Sequence, residues 1–232
     1  MHKLKKLMEL IRKRDFKQIW QKGIAFLPSI FYKLTAILRD KRYGGRSVNG
    51  TIPTRYRSLG AFSTQSSDYR CMRRVFREVP LLPDDLFVDV GCGEGRVLTY
   101  LYSKGFRGNA VGIELDEDVA KTAEQRTSGL ENVTIICGNI LDQGLLLQNA
   151  TAVYLFNPFS ERILSSFVDL LESVCTEPVR LYYLNCFFVK VLQDRDRWKC
   201  ISSGDIRRPG FVPMQFAVYQ LINLQTNNLQ TD

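Results

Sequence analysis

The sequence predicts an α/β protein with a doubly wound, mostly parallel sheet, and the pattern of its second half indicates this. Short apolar runs recur from residue 86 onwards, with starts 19 to 27 residues apart. Stretches with helical periodicity separate them. Continuous apolar strands that alternate with helices are typical of a parallel sheet covered on both faces. A composition of 45% apolar and 24% charged residues fits this class and excludes collagen-like or wholly disordered chains.

Five apolar runs are predicted as parallel strands, at 86–90, 110–115, 133–137, 152–156 and 179–184. The intervening helices are expected at 95–103, 117–127, 143–148 and 161–174. Two further strands, 198–202 and 211–222, are joined by a turn that contains Gly204 and Gly210. Because a connection this short joins antiparallel strands, we predict seven strands that end in an antiparallel hairpin.

The first 80 residues are expected to lie outside this sheet. Leu4, Leu7, Met8 and Ile11 fall on one helical face, and Pro28 suits the start of a second helix over 29–39. A polar stretch at 46–65 is predicted as a loop, after which Ser66 or Ser67 caps a helix that runs to about Val79. The predicted division is a basic amphipathic helical extension (1–45), a lid or substrate-side segment (46–80), a main domain (81–224) and a disordered tail (225–232).

Positive charge is concentrated at the front of the chain. Residues 1–77 carry 19 Lys and Arg against 4 Asp and Glu, whereas the remainder is net negative. Four arginines of the predicted third helix share one face: Arg70, Arg73, Arg74 and Arg77. Like charges at this spacing repel each other, which favours an anionic partner, either membrane lipid or nucleic acid. The alternative for the arginines is a solvated face or pairing with acids of the body, and the alternative for the first helices is packing on the body or on another copy.

The single histidine and the spacing of the cysteines exclude several kinds of catalytic and metal site. His2 is the only histidine, which excludes Ser-His-Asp and Cys-His catalysis and multi-histidine metal sites, and no metal is expected. Six cysteines form no C-x-x-C motif and are predicted to be mostly buried thiols in a reducing compartment. No secretory signal or membrane span is evident. We therefore expect a cytoplasmic protein, with residues 1–40 as a candidate peripheral membrane attachment.

A glycine-rich turn follows the first predicted strand. Asp89 precedes Gly91, Gly93 and Gly95 in a D-x-G-x-G-x-G pattern. Glycines permit positive φ and close approach of a ligand to the backbone. The dinucleotide fingerprint would need a third glycine where Arg96 stands. The acid before the glycines suits a ligand with a cationic amine better than a pyrophosphate.

Polar residues also end the next three strands, and parallel strands gather such ends at one edge of the sheet. Glu114 can accept both hydroxyls of a ribose. Asn139 can bond an adenine edge, and the Ile140 N–H can reach a ring nitrogen. Asn157 begins Asn157-Pro158-Phe159 after the fourth strand. These ends describe a pocket for an amino acid, a ribose and an adenine.

Over about residues 81–222, the sequence resembles the class I S-adenosylmethionine (SAM)-dependent methyltransferases. The resemblance rests on FVDVGCGEGRVL, VGIELD, VTIICGNILD and VYLFNPF, in that order. It implies a Rossmann-like sheet with a reversed final hairpin and SAM as cofactor. The glycine loop would surround the methionine part of SAM. Glu114 would bind the ribose, and Asn139 with Ile140 would bind the adenine. The implied cofactor-binding set is Asp89, Gly91, Cys92, Gly93, Gly95, Glu114, Leu115, Asn139, Ile140, Asn157, Tyr56 and Thr54.

Two shorter resemblances concern the acceptor side. Asn157-Pro158-Phe159 is similar to the N-P-P-[YF] motif of amino-group methyltransferases, with one proline fewer. It implies that Asn157 and Pro158 orient a nitrogen, that Phe159 stacks on the substrate, and that these three residues are catalytic. TIPTRYR, at 51–57, resembles a segment of lysine methyltransferase-like proteins that folds over SAM. It nominates Thr54 and Tyr56 as lid residues.

The function predicted from these patterns is transfer of a methyl group from SAM to a nitrogen acceptor. A neutral amine needs no strong base, so the shortage of histidine is no obstacle. The acceptor itself stays open among metabolite, lipid, protein lysine and RNA. The alternative is a catalytically inactive methyltransferase-fold binding protein that acts through its basic front on membrane or nucleic acid.

Overall fold

The computed structural model describes residues 16–45, 47–48 and 50–222, with side chains from residue 30 onwards. Nine strands occur in this part of the chain: β1 Thr51–Ile52, β2 Thr64–Gln65, β3 Leu86–Val90, β4 Asn109–Glu114, β5 Val133–Cys137, β6 Ala152–Phe156, β7 Arg180–Leu184, β8 Trp198–Ile206 and β9 Met214–Leu221. The α-helices of the same residues are α1 Phe16–Gly44, α2 Tyr69–Glu78, α3 Arg96–Ser103, α4 Glu117–Thr127, α5 Gly144–Leu147, α6 Glu161–Val174 and α7 Lys190–Gln193.

The main sheet has seven strands in the order β5-β4-β3-β6-β7-β9-β8. Strands β3 to β7 are parallel, while β9 runs antiparallel to both β7 and β8. The predicted fold class is thus confirmed. From β3 the chain adds β4 and β5 on one side of the sheet and then returns to add β6 and β7 on the other side, so the strand order reverses between β3 and β6. Open α/β sheets bind ligands in the crevice at such a switch point.

Helices cover both faces of this sheet because the strands are apolar on both sides. One core cluster joins the sheet to α5, α6 and α7, and it includes Phe167 and Leu192, which are fully buried. The other joins the sheet to α2 and α3 through residues such as Met72 and Leu98. Their rigid packing fixes the carboxyl ends of β3, β4 and β6 at one edge of the domain.

The front of the chain departs from the sequence prediction at three points. Helix α1 runs without a break from Phe16 to Gly44, so the predicted start at Pro28 is wrong. The predicted loop at 46–65 contains an antiparallel pair, with Thr51 opposite Gln65. The N-cap of α2 is Asp68, not Ser66 or Ser67, because its carboxylate accepts hydrogen bonds from the N–H groups of the first turn. The stripe at 4–11 and the tail at 225–232 lie outside the described residues.

A buried ion pair fastens α1 to the main domain. Asp40 is fully buried, and its carboxylate accepts hydrogen bonds from Arg96 Nε at 2.9 Å and Nη2 at 2.7 Å. Tyr69 Oη donates to the same carboxylate at 2.8 Å. Arg126 Nη2 donates to the Asp40 backbone carbonyl at 3.3 Å. A residue from each of α1, α2, α3 and α4 therefore meets in one polar cluster beneath the glycine turn.

Candidate cofactor and acceptor site

The glycine turn joins β3 to α3 in a conformation that side chains rarely adopt. Gly91, Gly93 and Gly95 have φ values of 69°, 55° and 77°. A Cβ at Gly93 would lie 2.9 Å from Thr64 Cγ2, and a Cβ at Gly91 would lie 2.8 Å from Pro158 Cβ. Both the conformation and the space therefore require glycine here. Gly95 occupies the N-cap position of α3 and does not line the adjacent cavity.

Glu114 is the last residue of β4 and holds the glycine turn through its carboxylate. The Gly93 N–H donates to Oε2 at 2.9 Å, and the Asp116 N–H donates to Oε1 at 3.1 Å. Burial raises the pKa of Glu114, and these backbone hydrogen bonds oppose the rise. A carboxylate has about four acceptor positions, so Glu114 can also receive hydroxyl donors from a ligand.

Asp89 is buried at the end of β3 and has an unsatisfied oxygen. The residue is 2% exposed, and Oδ2 has no hydrogen-bond partner within the described residues. Burial, helped by the charge of Glu114, raises the pKa of Asp89 to about 8. An orphaned buried carboxylate oxygen is costly unless a ligand completes it, and a cationic group is the chemistry that would do so.

Residues 51–65 form a strap that crosses these strand ends and is fastened on both sides. On one side, Arg55 donates to both carboxylate oxygens of Asp116 at 2.8 and 3.0 Å and to Asp118 at 2.6 Å. Arg55 in turn lowers the pKa of Asp116. On the other side, the Phe62 N–H donates to the Pro158 carbonyl at 2.9 Å. The strap therefore covers the glycine turn as a lid.

Between the strap and the strand ends lies a cavity of about 420 Å³. All the predicted cofactor and catalytic residues except Gly95 line it: Thr54, Tyr56, Asp89, Gly91, Cys92, Gly93, Glu114, Leu115, Asn139, Ile140, Asn157, Pro158 and Phe159. The fold thus brings together residues up to about a hundred positions apart. This volume lies within the usual range for small-ligand sites.

Asn139 is less available to a ligand than the sequence analysis expected. Its Oδ1 accepts a hydrogen bond from the Leu141 N–H at 3.2 Å and caps the 3₁₀ turn Ile140–Asp142. The amide thus serves the turn first, although it remains exposed at the cavity wall. Cys92 is buried and also lines the cavity, and burial raises the pKa of its thiol well above the ordinary value. This thiol is therefore an apolar wall and not a nucleophile.

The Asn157-Pro158-Phe159 turn is held in a defined shape. Asn157 has a φ of 43°, an uncommon value for a residue other than glycine. Tyr183 Oη donates to Asn157 Oδ1 at 2.8 Å and itself accepts from the Phe188 N–H at 3.4 Å. This chain of donors orients the amide. Phe159 packs into the core against Phe167, with ring centroids 5.9 Å apart, and is 8% exposed.

One site residue was not found from the sequence. Asn157 directly follows β6 and Asn185 directly follows β7, and the last residues of these strands, Phe156 and Leu184, are paired, so the two asparagines lie side by side. Asn185 also has a positive φ, 55°, and lines the cavity. The signal was present, since both asparagines directly follow an apolar strand, but no motif drew attention to the second one.

The remaining candidates lie away from the cavity. Arg70, Arg73 and Arg77 are exposed on the outer face of α2, and Arg74 pairs with Glu78 at 2.7 Å. Four of the six cysteines are buried, but Cys137 and Cys200 are exposed. Within the described residues, no group of His, Cys, Asp and Glu could hold a metal ion. No helix in the same part of the chain is long and apolar enough to cross a bilayer.

Part of the chain is similar in sequence to known methyltransferases. Residues 87–175 match the family model described as a methyltransferase domain. Ribosomal RNA small subunit methyltransferase A of Thermotoga petrophila is 35% identical over 69 residues, which is 30% of this chain and 26% of that protein. A putative methyltransferase of Mycobacterium tuberculosis is 34% identical over 55 residues, 24% of this chain and 33% of that protein. The chain thus aligns with about a quarter to a third of these curated relatives.

Solved structures share the fold. An RNA methyltransferase from Salinibacter ruber, in complex with S-adenosyl-L-homocysteine, aligns with a TM-score of 0.56 and 15% identity over 72% of this chain and 99% of that one. A SAM-dependent methyltransferase from Aquifex aeolicus aligns with a TM-score of 0.50 and 15% identity over 65% and 89% of the two chains. At this identity the likeness concerns the fold. Residues 87–175 thus resemble a methyltransferase domain, and the fold that contains them matches the Rossmann-like methyltransferases.

Proposed function

We propose that this chain transfers a methyl group from SAM to a nitrogen atom of its acceptor. The observation that carries the proposal is the pair of buried carboxylates, Asp89 and Glu114, which face one cavity beside a glycine turn that has no room for side chains. A ligand with cationic and hydroxyl groups complements this pair. SAM has both kinds of group, so the residues present fit it.

Each part of the cofactor has a candidate partner in the cavity. Asp89 Oδ2, which has no partner in the described structure, would receive the cationic amine of the methionine part. The open acceptor positions of Glu114 would receive the ribose hydroxyls. Ile140 and Asn139 would lie against the adenine. When bound, SAM supplies a methyl group on a positively charged sulfur, which a nucleophile can displace in line.

The chain's own contribution to the reaction is to position the acceptor and to exclude water. The strap covers the glycine turn and closes the cavity over the cofactor side. Holding the acceptor in line converts a bimolecular encounter into a reaction between neighbours. Asn157 has its amide fixed by Tyr183, and its Oδ1 keeps one further acceptor position for an N–H of the substrate.

A nitrogen acceptor fits the groups that surround the cavity. An amine or ring nitrogen needs an acceptor for its protons and no strong base. Asn157 and Asn185 supply amide oxygens at adjacent strand ends, and no histidine lies among the described residues. The position of Phe159 in the core favours a structural role for its ring, so the stacking that the motif implied is not part of this proposal.

Calorimetric titration of the full chain with S-adenosylhomocysteine tests the cofactor site. We expect saturable binding that is weakened about 100-fold or more by Glu114→Ala, since two hydrogen bonds to a charged group are lost. Glu117→Ala is the matched control, because Glu117 is an exposed acid (68% exposed side chain) in the next helix and is expected to leave binding unchanged. Absence of binding by the folded wild-type chain would contradict the proposal.

Transfer of labelled methyl from SAM to fractionated lysate tests the activity and the acceptor. The RNA, protein and small-molecule fractions are assayed separately because the named relatives include RNA methyltransferases. We expect label on nitrogen in one fraction, with Asn157→Ala reducing turnover while cofactor affinity is kept. Label on oxygen or carbon contradicts the nitrogen acceptor. Cofactor binding without transfer to any fraction would favour the inactive binding protein.

A further inference from the structure

The outward side of α1 carries an apolar stripe that the fold leaves exposed. Phe31, Leu34 and Leu38 are 71%, 52% and 67% exposed, and Ile30 beside them is 41% exposed. At 100° per residue, the first three fall within an arc of about 60°. Single exposed apolar residues are ordinary on a protein surface, but an aligned row of large ones marks an interaction site. We call these four residues the α1 outer face.

The opposite side of the same helix makes the contacts with the body. Asp40, about half a turn of the helical wheel from Phe31, forms the buried pair with Arg96. Tyr32 Oη donates to Asp68, and Tyr43 packs against Tyr69 with ring centroids 6.1 Å apart. The α1 outer face is therefore not needed to dock the helix, and the described residues of the chain leave its apolar side chains uncovered.

The composition of the α1 outer face fits a membrane interface. Helices that lie at the boundary between headgroups and acyl chains carry large apolar residues such as Phe and Leu on one side and Lys and Arg on the other. Phe31, Leu34 and Leu38 are residues of the first kind. In the sequence, Trp20, Ile24 and Leu27 precede Phe31 at alternating steps of four and three residues.

Positive charge borders the α1 outer face. Lys41 and Arg42 are exposed in the last turn of α1. Arg39 lies over the ring of Tyr69 at 5.7 Å, and Tyr69 is the first residue of α2, which also carries the exposed Arg70, Arg73 and Arg77. Asp40, the acid of this part of α1, is buried and paired. The rim therefore carries net positive charge towards the surroundings.

Among the surfaces that could cover this face, an anionic bilayer matches it best. Nucleic acid would satisfy the basic rim but offers its phosphates to the apolar row. A second copy would satisfy the apolar row but would bring two basic rims together. A bilayer with anionic lipids offers apolar depth and negative headgroups at once. We propose that the α1 outer face docks on an anionic lipid bilayer, with Phe31, Leu34 and Leu38 at the acyl boundary and the basic rim against the headgroups.

Flotation of the full chain with lipid vesicles tests this proposal. Binding is expected with vesicles of phosphatidylcholine and phosphatidylglycerol, and it should fall at least tenfold with phosphatidylcholine alone or at high salt. Phe31→Ser combined with Leu38→Ser should reduce binding at least tenfold without changing the thermal midpoint, since both side chains are exposed. Leu145→Ser is the matched control, because Leu145 is 85% exposed in α5 on the other side of the sheet.

Several results would overturn the proposal. Equal binding of the double variant and the wild type would show that the α1 outer face is not the contact. Light scattering that shows a wild-type dimer, converted to a monomer by the double variant, would assign the face to a second copy. Filter binding of RNA that is lost in the double variant, without vesicle binding by the wild type, would assign it to nucleic acid. Circular dichroism of each variant confirms that the fold is retained. None of these readouts depends on methyl transfer.

Discussion

The sheet domain and the front of the chain differ in what determines their structure. Between residues 86 and 174, the strands and helices follow the local periodicity of the sequence, and β3, β5, β6, α4 and α6 begin and end where that periodicity predicts. In the final hairpin, β8 runs on to Ile206, so Gly204 lies in the strand and not in the predicted turn. Before residue 80, the ends of α1 and the shape of the strap depend on contacts with residues far along the chain. Asp40 meets Arg96, and Arg55 meets Asp116, at separations of 56 and 61 residues.

This difference separates the structure that local sequence patterns determine from the structure that depends on contacts between distant residues. A buried parallel strand is apolar along its whole length, so the sequence alone indicates it. A lone acid in a basic segment indicates nothing by itself, since a solvated face would look the same. Asp40 is the one acidic residue between positions 16 and 67, and the structure shows that it is the anchor of that whole region.

The largest effect is expected from breaking the tie between the two regions. Asp40→Ala leaves Arg96 in a buried site without its carboxylate, and removal of one partner of a buried ion pair costs about 3–5 kcal/mol. Chemical denaturation measures the loss, and limited proteolysis shows where it acts. We expect cleavage within 30–65 while the sheet domain stays protected. Glu78→Ala, which breaks the exposed pair with Arg74, is the control. A loss equal to that of the control would contradict the anchor.

The fold was more predictable than the site. The strand-end positions of Asp89, Glu114 and Asn157 follow from where the apolar runs stop, and all three line the cavity. The sequence could not show that Asn139 would cap its own turn or that Phe159 would pack on Phe167, because both depend on backbone angles and neighbours that periodicity does not encode. The helix start predicted at Pro28 was wrong because the sequence pattern does not show whether a helix continues through a proline. Proline removes one helical hydrogen bond, and α1 continues across this loss.

The next effect concerns Asp89, a buried residue of β3 in the sheet domain. Its pKa of about 8 lies above the unfolded value, so the folded chain binds more protons than the unfolded chain between about pH 4 and 8. Stability from this group is fully present below about pH 4 and is lost progressively as the pH rises to about 8. Asp89→Asn should remove that loss. The change that it causes in the free energy of unfolding should therefore be more favourable at pH 8.5 than at pH 5, by about 2–4 kcal/mol.

Denaturation curves at the two pH values provide the measurement, and the difference between them cancels the effect of the substitution on packing. Parallel pH dependence in the wild type and Asp89→Asn would show that this carboxylate does not titrate in the folded state near pH 8.

Two adjacent tyrosines of β7 offer a smaller and more local comparison. Tyr183 Oη donates to Asn157, whereas Tyr182 Oη is buried without a hydrogen-bond partner in the described residues. Tyr183→Phe should cost about 1 kcal/mol, because an amide oxygen loses its donor. Tyr182→Phe should be neutral or stabilising. Thermal unfolding of the pair decides the point, and equal losses would contradict the role given to the Asn157–Tyr183 hydrogen bond.

The smallest effect on stability, with the most to say about function, is expected at the strap. Arg55 has a side chain that is 61% exposed, so its ion pairs with Asp116 and Asp118 add little to the stability of the whole fold. They do join the strap to the residue two positions after Glu114. Arg55→Ala should leave the thermal midpoint nearly unchanged while weakening S-adenosylhomocysteine binding and speeding proteolysis within 51–65. Lys121→Ala, which breaks the exposed pair with Glu117 in α4, should change none of these properties.

Unchanged ligand affinity in Arg55→Ala would mean that the contacts of Phe62 and Thr64 alone keep the strap in place. The lid would then be hinged on the β6 side of the cavity.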